Sequence, residues 1–354
     1  TLLKMRRDFE AIFEQVNPNE MSKWWTGVNA IQRMVALGFD ASIFMIQLFP
    51  VMMNHPRIMP KVFKGYFNAL LRTWRDPDAG RQMMFQYRNM PENQAILRKY
   101  GRWLLMSEDN EVFDLLATGK MGEIFQQQVQ DPGRLGDVAR AGQRFGGGFK
   151  NAFDHVLDIA GIEIAKAMDV VVDGATPEIM EKQIKAVADY ANGMRGLFSS
   201  QAAGVSAVQR YKEAQWMLAA RYRRAVASLY AMALSPDPTR SYLAQKAMIN
   251  LATGTIMTSI VLQMMGSYID GDSEEETYDK LEKLIDPTSG GFLMFQAGGQ
   301  SIGIGSKFVS DSKFIGKALT FMWKRGTGQD VKEWQDFLSM ERTNPGLQWV
   351  RAQM

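Results

Sequence analysis

Ala247-Met-Ile-Asn-Leu-Ala-Thr-Gly-Thr-Ile-Met-Thr-Ser-Ile-Val-Leu-Gln-Met-Met-Gly-Ser-Tyr-Ile269 carries no charged side chain. The run is far longer than an ordinary strand and has no strict alternation, so it reads as helix. It approaches the ~20 residues needed to span a bilayer. Asn250, Thr253, Thr255, Thr258, Ser259 and Gln263 dilute its hydrophobicity, which favours a buried core helix. The alternative is a membrane segment hidden until a conformational change. Either way the centre of gravity of the fold is helical.

Working outward, Ser235-Pro-Asp-Pro separates this helix, read over 240–269, from another over 203–234. Thr176-Pro-Glu starts a helix over 177–192, with proline at the first helical position. Residues 151–172 place Phe153, Val156, Leu157, Ile159, Ala160, Ile164 and Met168 on one apolar side. Further upstream, helical patterns cover 61–75, 78–88 and 91–100, divided by Asp-Pro, glycine and Met-Pro signals. Pro50, Pro56 and Pro60 predict an irregular, proline-punctuated turn. Residues 1–16 and 21–49 also carry helical apolar spacing, with Asn17-Pro18 and Gly38 as breaks. Downstream, Phe292–Gln296 and Ser301–Ile304 flank Gly298-Gly299 and read as a hairpin. The tail returns to helix over 312–341. The expected fold is therefore mainly α, an irregular multi-helix assembly with one small β-hairpin near 292–304. Gly146-Gly-Gly is the candidate boundary between an N-terminal helical region, 1–145, and a C-terminal one, 149–354. One continuous domain is the other reading. Because the chain begins at Thr1, it is expected to be a piece of a longer polypeptide.

Composition narrows the chemistry. At 354 residues and 46% apolar content the chain can bury a sizeable core. A net charge of +3 from 41 basic and 38 acidic residues gives no global field for nucleic acid, so any basic surface is local. The chain has no cysteine, which removes disulfides, thiolate chemistry and cysteine metal sites. Its 25 methionines suit loose, adaptable packing. His55 and His155 are the only imidazoles and read as structural, and neither has metal-ligand spacing to a partner. Gly142-Gln-Arg-Phe-Gly-Gly-Gly lacks the preceding strand and the Gly-Lys-Ser/Thr ending of a phosphate cradle, so it reads as a hinge. Asp270-Gly-Asp-Ser-Glu-Glu-Glu resembles part of a calcium loop without its full spacing and reads as a solvated turn between helices.

One local signal has a functional reading. Arg210, Lys212, Arg221, Arg223 and Arg224 are interleaved with Tyr211, Trp216, Tyr222 and Tyr230. Guanidinium and aromatic groups together can hold nucleic-acid phosphates or lipid headgroups. They can equally form a solvated face whose long stems pack on neighbours. No residue is assigned a catalytic, cofactor-binding or metal-binding role.

An ordered series of short motifs carries a resemblance. Val35-Ala-Leu-Gly-Phe-Asp-Ala-Ser resembles the Gly-Phe-Asp-Leu-Ser segment of the large polyvalent proteins of tailed phages and prophages. Ala141-Gly-Gln-Arg-Phe is similar to that family's Ser-x-Arg-Ala-Phe helix. Ala188-Asp-Tyr-Ala-Asn-Gly-Met-Arg-Gly is similar to its Asn-x-x-Thr-Gly-x-Gly turn. Leu218-Ala-Ala-Arg-Tyr stands where the family carries Phe-Ser-Pro-Arg, and departs from it at the Ser-Pro. Asp286-Pro-Thr-Ser-Gly-Gly-Phe resembles its Pro-x-Ser-Ser-Asp-Phe hairpin, and Arg342-Thr-Asn-Pro lies near its terminal element, without the lysine. The resemblance implies an internal virion or ejection protein, held inside the capsid and passed to the host envelope with the genome. It would help form a conduit for DNA there. Implied partners are copies of itself, other internal virion proteins, portal or tail components, phage DNA held weakly, and the host membrane. The segment itself would be no enzyme and need no cofactor. The alternative is an accessory scaffold domain of a packaged enzyme polyprotein carrying a peptidoglycan lyase or virion RNA polymerase.

Overall fold

The computed structural model describes residues 42–76, 79–106, 152–174, 176–199, 203–206, 209, 220–286, 289 and 291–303. The fold is mainly α. In chain order the described helices are α1 (Ser42–Asn54), α2 (Met59–Arg75), α3 (Ala79–Arg88), α4 (Pro91–Tyr100), α5 (152–168), α6 (Pro177–Met194), α7 (Ala220–Ala233), α8 (Pro238–Asp270) and α9 (Glu274–Ile285). Strands β1 (Met294–Ala297) and β2 (Gln300–Gly303) follow. The sequence-predicted helices over 1–16 and 312–341, and the part of the 21–49 stretch before Ser42, lie outside the described residues.

By contacts the chain divides into two compact units between Ala244 and Gln245. The sequence put the boundary at Gly146–Gly148, which lies outside the described residues. The described helices on its two sides belong to one unit, because α5 and α6 supply the surface on which α2, α3 and α4 pack. Helix α5 is its axis: Val156, Leu157, Ile159, Ala160, Ile162, Ile164 and Ala165 are all buried, as are Asp154, His155 and Asp158. So many faces are covered that one apolar stripe understates it. Around α5, Leu48 and Val51 of α1, Val62 and Ala69 of α2, and Val187 and Met194 of α6 complete the core.

Local chemistry sets most helix ends. Thr176 caps α6 by accepting the Ile179 amide, with Pro177 following. Pro56 opens a short 3₁₀ turn, Pro56–Ile58, before α2. Pro50, expected to break the chain, instead sits inside α1, where Asn54 Nδ2 donates to its carbonyl at 3.1 Å. The sequence-predicted helix over 203–234 does not begin at 203: residues 203–206 form a turn, and Ser206 Oγ accepts from the Gln209 amide.

In the second unit the hairpin matches the sequence expectation. Ala297 faces Gln300 across the two-residue loop Gly298-Gly299, with φ of 59° and 72°. Both values fall in the left-handed region that a primed turn needs and glycine adopts without strain. Helix α9 was not foreseen. Its signal was present: Ser273 and Glu276 form a reciprocal capping box, each side chain binding the other's backbone N–H. Part of the acidic run is thus engaged internally, since Lys280 pairs with Asp272 at 2.5 Å and with Asp270 at 3.9 Å, and Asp270 accepts the Gly298 amide at 2.8 Å, while Glu274 and Glu275 are exposed.

Candidate functional site

Of the basic–aromatic cluster, Arg210 and Lys212 lie outside the described residues. Arg221 is in the first turn of α7. Arg223 and Arg224, also on α7, are half-buried and have interactions of their own. Tyr222 is buried, so the aromatic members do not all line an open face.

Polar side chains do converge in the first unit. Glu163 of α5 accepts from Lys61 Nζ at 2.8 Å, Tyr87 Oη at 2.8 Å and Lys166 Nζ at 3.0 Å. Burial alone would raise its pKa, but those three donors outweigh burial and hold it below the usual value. Burial, and then the Glu163 charge, push the Tyr87 hydroxyl well above its ordinary pKa. One turn earlier Arg88 Nε donates to Asp158 Oδ2 at 2.7 Å, and the Asp158 side chain is 1% exposed. His155 lies beside this pair, edge-on to the Tyr87 ring at 5.8 Å between centroids. Burial lowers its pKa, with Asp158 opposing and Arg88 assisting. Its Nδ1 is buried with no hydrogen-bond partner, so it is structural but not satisfied, a departure from the sequence reading. His55 Nε2 lies 2.9 Å from the Tyr190 hydroxyl, joining the turn after α1 to α6.

A second knot surrounds Arg195, which is fully buried. Its Nε donates to Ala191 O at 3.0 Å, Nη1 to Leu157 O at 2.8 Å, and Nη2 to Leu105 O at 3.0 Å and to Asn192 Oδ1 at 2.8 Å. Asn192 in turn accepts the Leu105 amide at 2.9 Å and donates to Trp103 O at 2.8 Å. Together they strap residues 103–105 onto the end of α6 beside α5. Gly193 allows α7 to approach, since a Cβ there would lie 2.6 Å from Leu229 Cγ. These groups are committed to one another and to backbone, an arrangement that clamps helices and offers no exposed nucleophile–base pair. Among the described residues no group of three His, Asp or Glu side chains is placed to hold a metal ion.

The second unit presents the feature that needs explaining. In α8 the buried positions include Thr255, Ser259, Gln263 and Ser267, whereas Ile249, Ile256, Met257, Val261, Met264, Met265, Tyr268 and Ile269 are exposed. From Thr255 to Ser267 polarity is inverted relative to a core helix, which places apolar groups inward, whereas upstream Leu243, Ala244, Ala247 and Leu251 are buried and Thr253 is exposed. The expectation of a buried core helix is therefore corrected: only 22% of the most apolar window is buried. The polar stripe has definite partners. Gln263 Oε1 accepts the Gln296 amide at 2.8 Å while its Nε2 faces Gln296 O at 3.4 Å and Ser267 Oγ at 3.2 Å. Thr255 Oγ1 donates to Leu251 O at 2.6 Å. Gly266 lets β1 come close, because a Cβ there would collide with Gln296 O. Sequence reading counted Gln263 only as dilution of hydrophobicity and treated Asn192 and Arg195 only as part of a turn. Side chains that bond to distant backbone leave no local pattern.

Comparison with known protein families, curated proteins and solved structures finds no match for this chain.

Proposed function

We propose that this chain is a structural, non-enzymatic segment of an internal virion protein of a tailed phage, delivered with the genome and contributing to a conduit for DNA across the host envelope. The observation that supports this reading is α8. A helix that leaves Ile256, Met257, Val261, Met264 and Met265 exposed while Thr255, Ser259, Gln263 and Ser267 are buried calls for an apolar partner beyond the described residues. An assembling protein supplies one when it oligomerises or meets a membrane. The ordered motif resemblance supplies the biological setting, and two of its anchors lie at structural junctions: 188–196 carries the Asn192–Arg195 knot, and 286–292 leads into the hairpin. In this reading α8 is the assembling element.

The test is electron cryomicroscopy of the purified chain, alone and with vesicles of phosphatidylethanolamine and phosphatidylglycerol. Rings or tubes with a central lumen are expected. A uniformly monomeric particle indifferent to lipid overturns the reading.

A further inference from the structure

We infer that residues 247–269 of α8 cross a lipid bilayer, with Ile249, Ile256, Met257, Val261, Met264 and Met265 against acyl chains. The inference rests on the conduit reading and names the surface that α8 meets.

Four observations carry it. The first is inverted polarity: hydrocarbon rewards outward apolar side chains and requires polar ones to find partners within the protein. Gln263, Ser267 and Thr255 have such partners, whereas the buried Ser259 hydroxyl has none among the described residues and stands against the pattern. The second is length. From Ala247 to Ile269 the helix rises about 35 Å at ~1.5 Å per residue, against a hydrocarbon core of about 30 Å. A soluble partner would impose no such match between charge-free length and membrane thickness. The third is what brackets the run. Lys246 precedes it and is exposed, while Tyr268 and then Asp270 close it, with Tyr268 89% exposed. Amphipathic lysine and tyrosine suit the headgroup level, where a long stem or ring stays apolar and its tip stays wet. The fourth is cover: a soluble core helix of this hydropathy is mostly buried, and among the described residues only 22% of the most apolar window of α8 is.

The chain has no cysteine, so single cysteines can report depth without background. Ile249→Cys, Met257→Cys and Ile269→Cys, each in the full chain, are labelled with an environment-sensitive fluorophore. They are mixed with phosphatidylethanolamine–phosphatidylglycerol vesicles carrying quenchers at graded acyl depths. Met257 lies near the middle of the run and its label is expected deepest, with the two end positions near the headgroups. Equal shallow depth at all three positions means the helix lies in the membrane plane and overturns the inference. Shielding of the labels without lipid means a second copy covers the face, and also overturns it. Both of those outcomes leave the conduit reading standing on its own test of rings and tubes, whereas a lipid-indifferent monomer removes both. Met257→Asp alters an exposed position, so the fold survives, as circular dichroism can verify. It is expected to lower vesicle partitioning roughly 100-fold through the cost of a carboxylate at the bilayer centre. Unchanged partitioning would overturn the inference.

Discussion

Arg195→Met tests whether the first unit is clamped as described. Two opposing effects compete at this position. Burying a guanidinium costs desolvation energy, and an apolar side chain of similar reach is often neutral or stabilising in its place. Against that, Arg195 satisfies Leu157 O on α5 and Leu105 O in the strap, two carbonyls on separate segments, besides its bonds to Ala191 O and Asn192 Oδ1. A hydrogen bond from a charged donor contributes about 1.5 kcal/mol or more, so losing the two that join segments predicts about 3 kcal/mol of destabilisation. Methionine fills the aliphatic volume and leaves little cavity, which isolates the hydrogen-bond effect. Urea unfolding followed by far-ultraviolet circular dichroism measures it. With a slope of about 1–3 kcal/mol/M, the midpoint should fall by roughly 1–3 M. Arg195→Lys, which keeps the charge without the planar fork, should lie between parent and Met variant. A Met variant as stable as the parent would mean that desolvation cancels the bonds, and the strap would have to be held by packing alone.

Acid should weaken the first unit in two stages. His155 has its folded pKa below 6.5, so its neutral form contributes stability that is complete above 6.5 and declines as pH falls below it. Glu163 has its folded pKa below 4.5, so its contribution is complete above 4.5 and is lost on further acidification. Urea midpoints across pH should show His155→Gln lacking the first decline and Glu163→Gln the second, and parallel curves for all three proteins would sink the assignment. Gly193→Ala should cost about 1–3 kcal/mol by forcing α6 and α7 apart. Adding Leu229→Ala should recover part of that loss in thermal unfolding, and strict additivity would contradict the close approach. Gln263→Leu should speed hydrogen exchange at the Gln296 amide, read by mass spectrometry, while α6 amides stay unchanged.

Much of the fold is legible in local signals. Gly298-Gly299 between apolar stretches gives the hairpin, Thr176-Pro177 gives the start of α6, and proline gives the turn before α2, because each acts through its own backbone. Pro50 misleads because the helix tolerates it: only one helical donor is lost, and buried Leu48, Phe49 and Val51 hold α1 in the core around it. Helix α9 shows that one run of residues can carry two signals, since the stretch that resembles part of a calcium loop also spells the Ser273–Glu276 capping box. The site is much less legible. Whether the apolar side of 247–269 faces inward depends on where Gln263, Ser259 and Thr255 find cover, and that cover begins at Gln296, distant in sequence. Composition along a helix fixes how much of it is apolar and leaves open which side is covered.

Gln263 also acts as a ruler. Gln296 stands opposite Ser301, one step beyond the pair that flanks the loop, so its N–H and C=O point away from β2 and toward α8. A side-chain amide meets both groups, donating and accepting much as a neighbouring strand would. Sliding the hairpin by one residue would offer α8 the opposite face of β1 and deprive Gln263 of both groups. The amide therefore fixes where the ribbon sits along α8, while the Gly298-Gly299 loop fixes the pairing of its two strands. A glutamate here, ionised and unable to donate, would hold one end of that grip and repel the other.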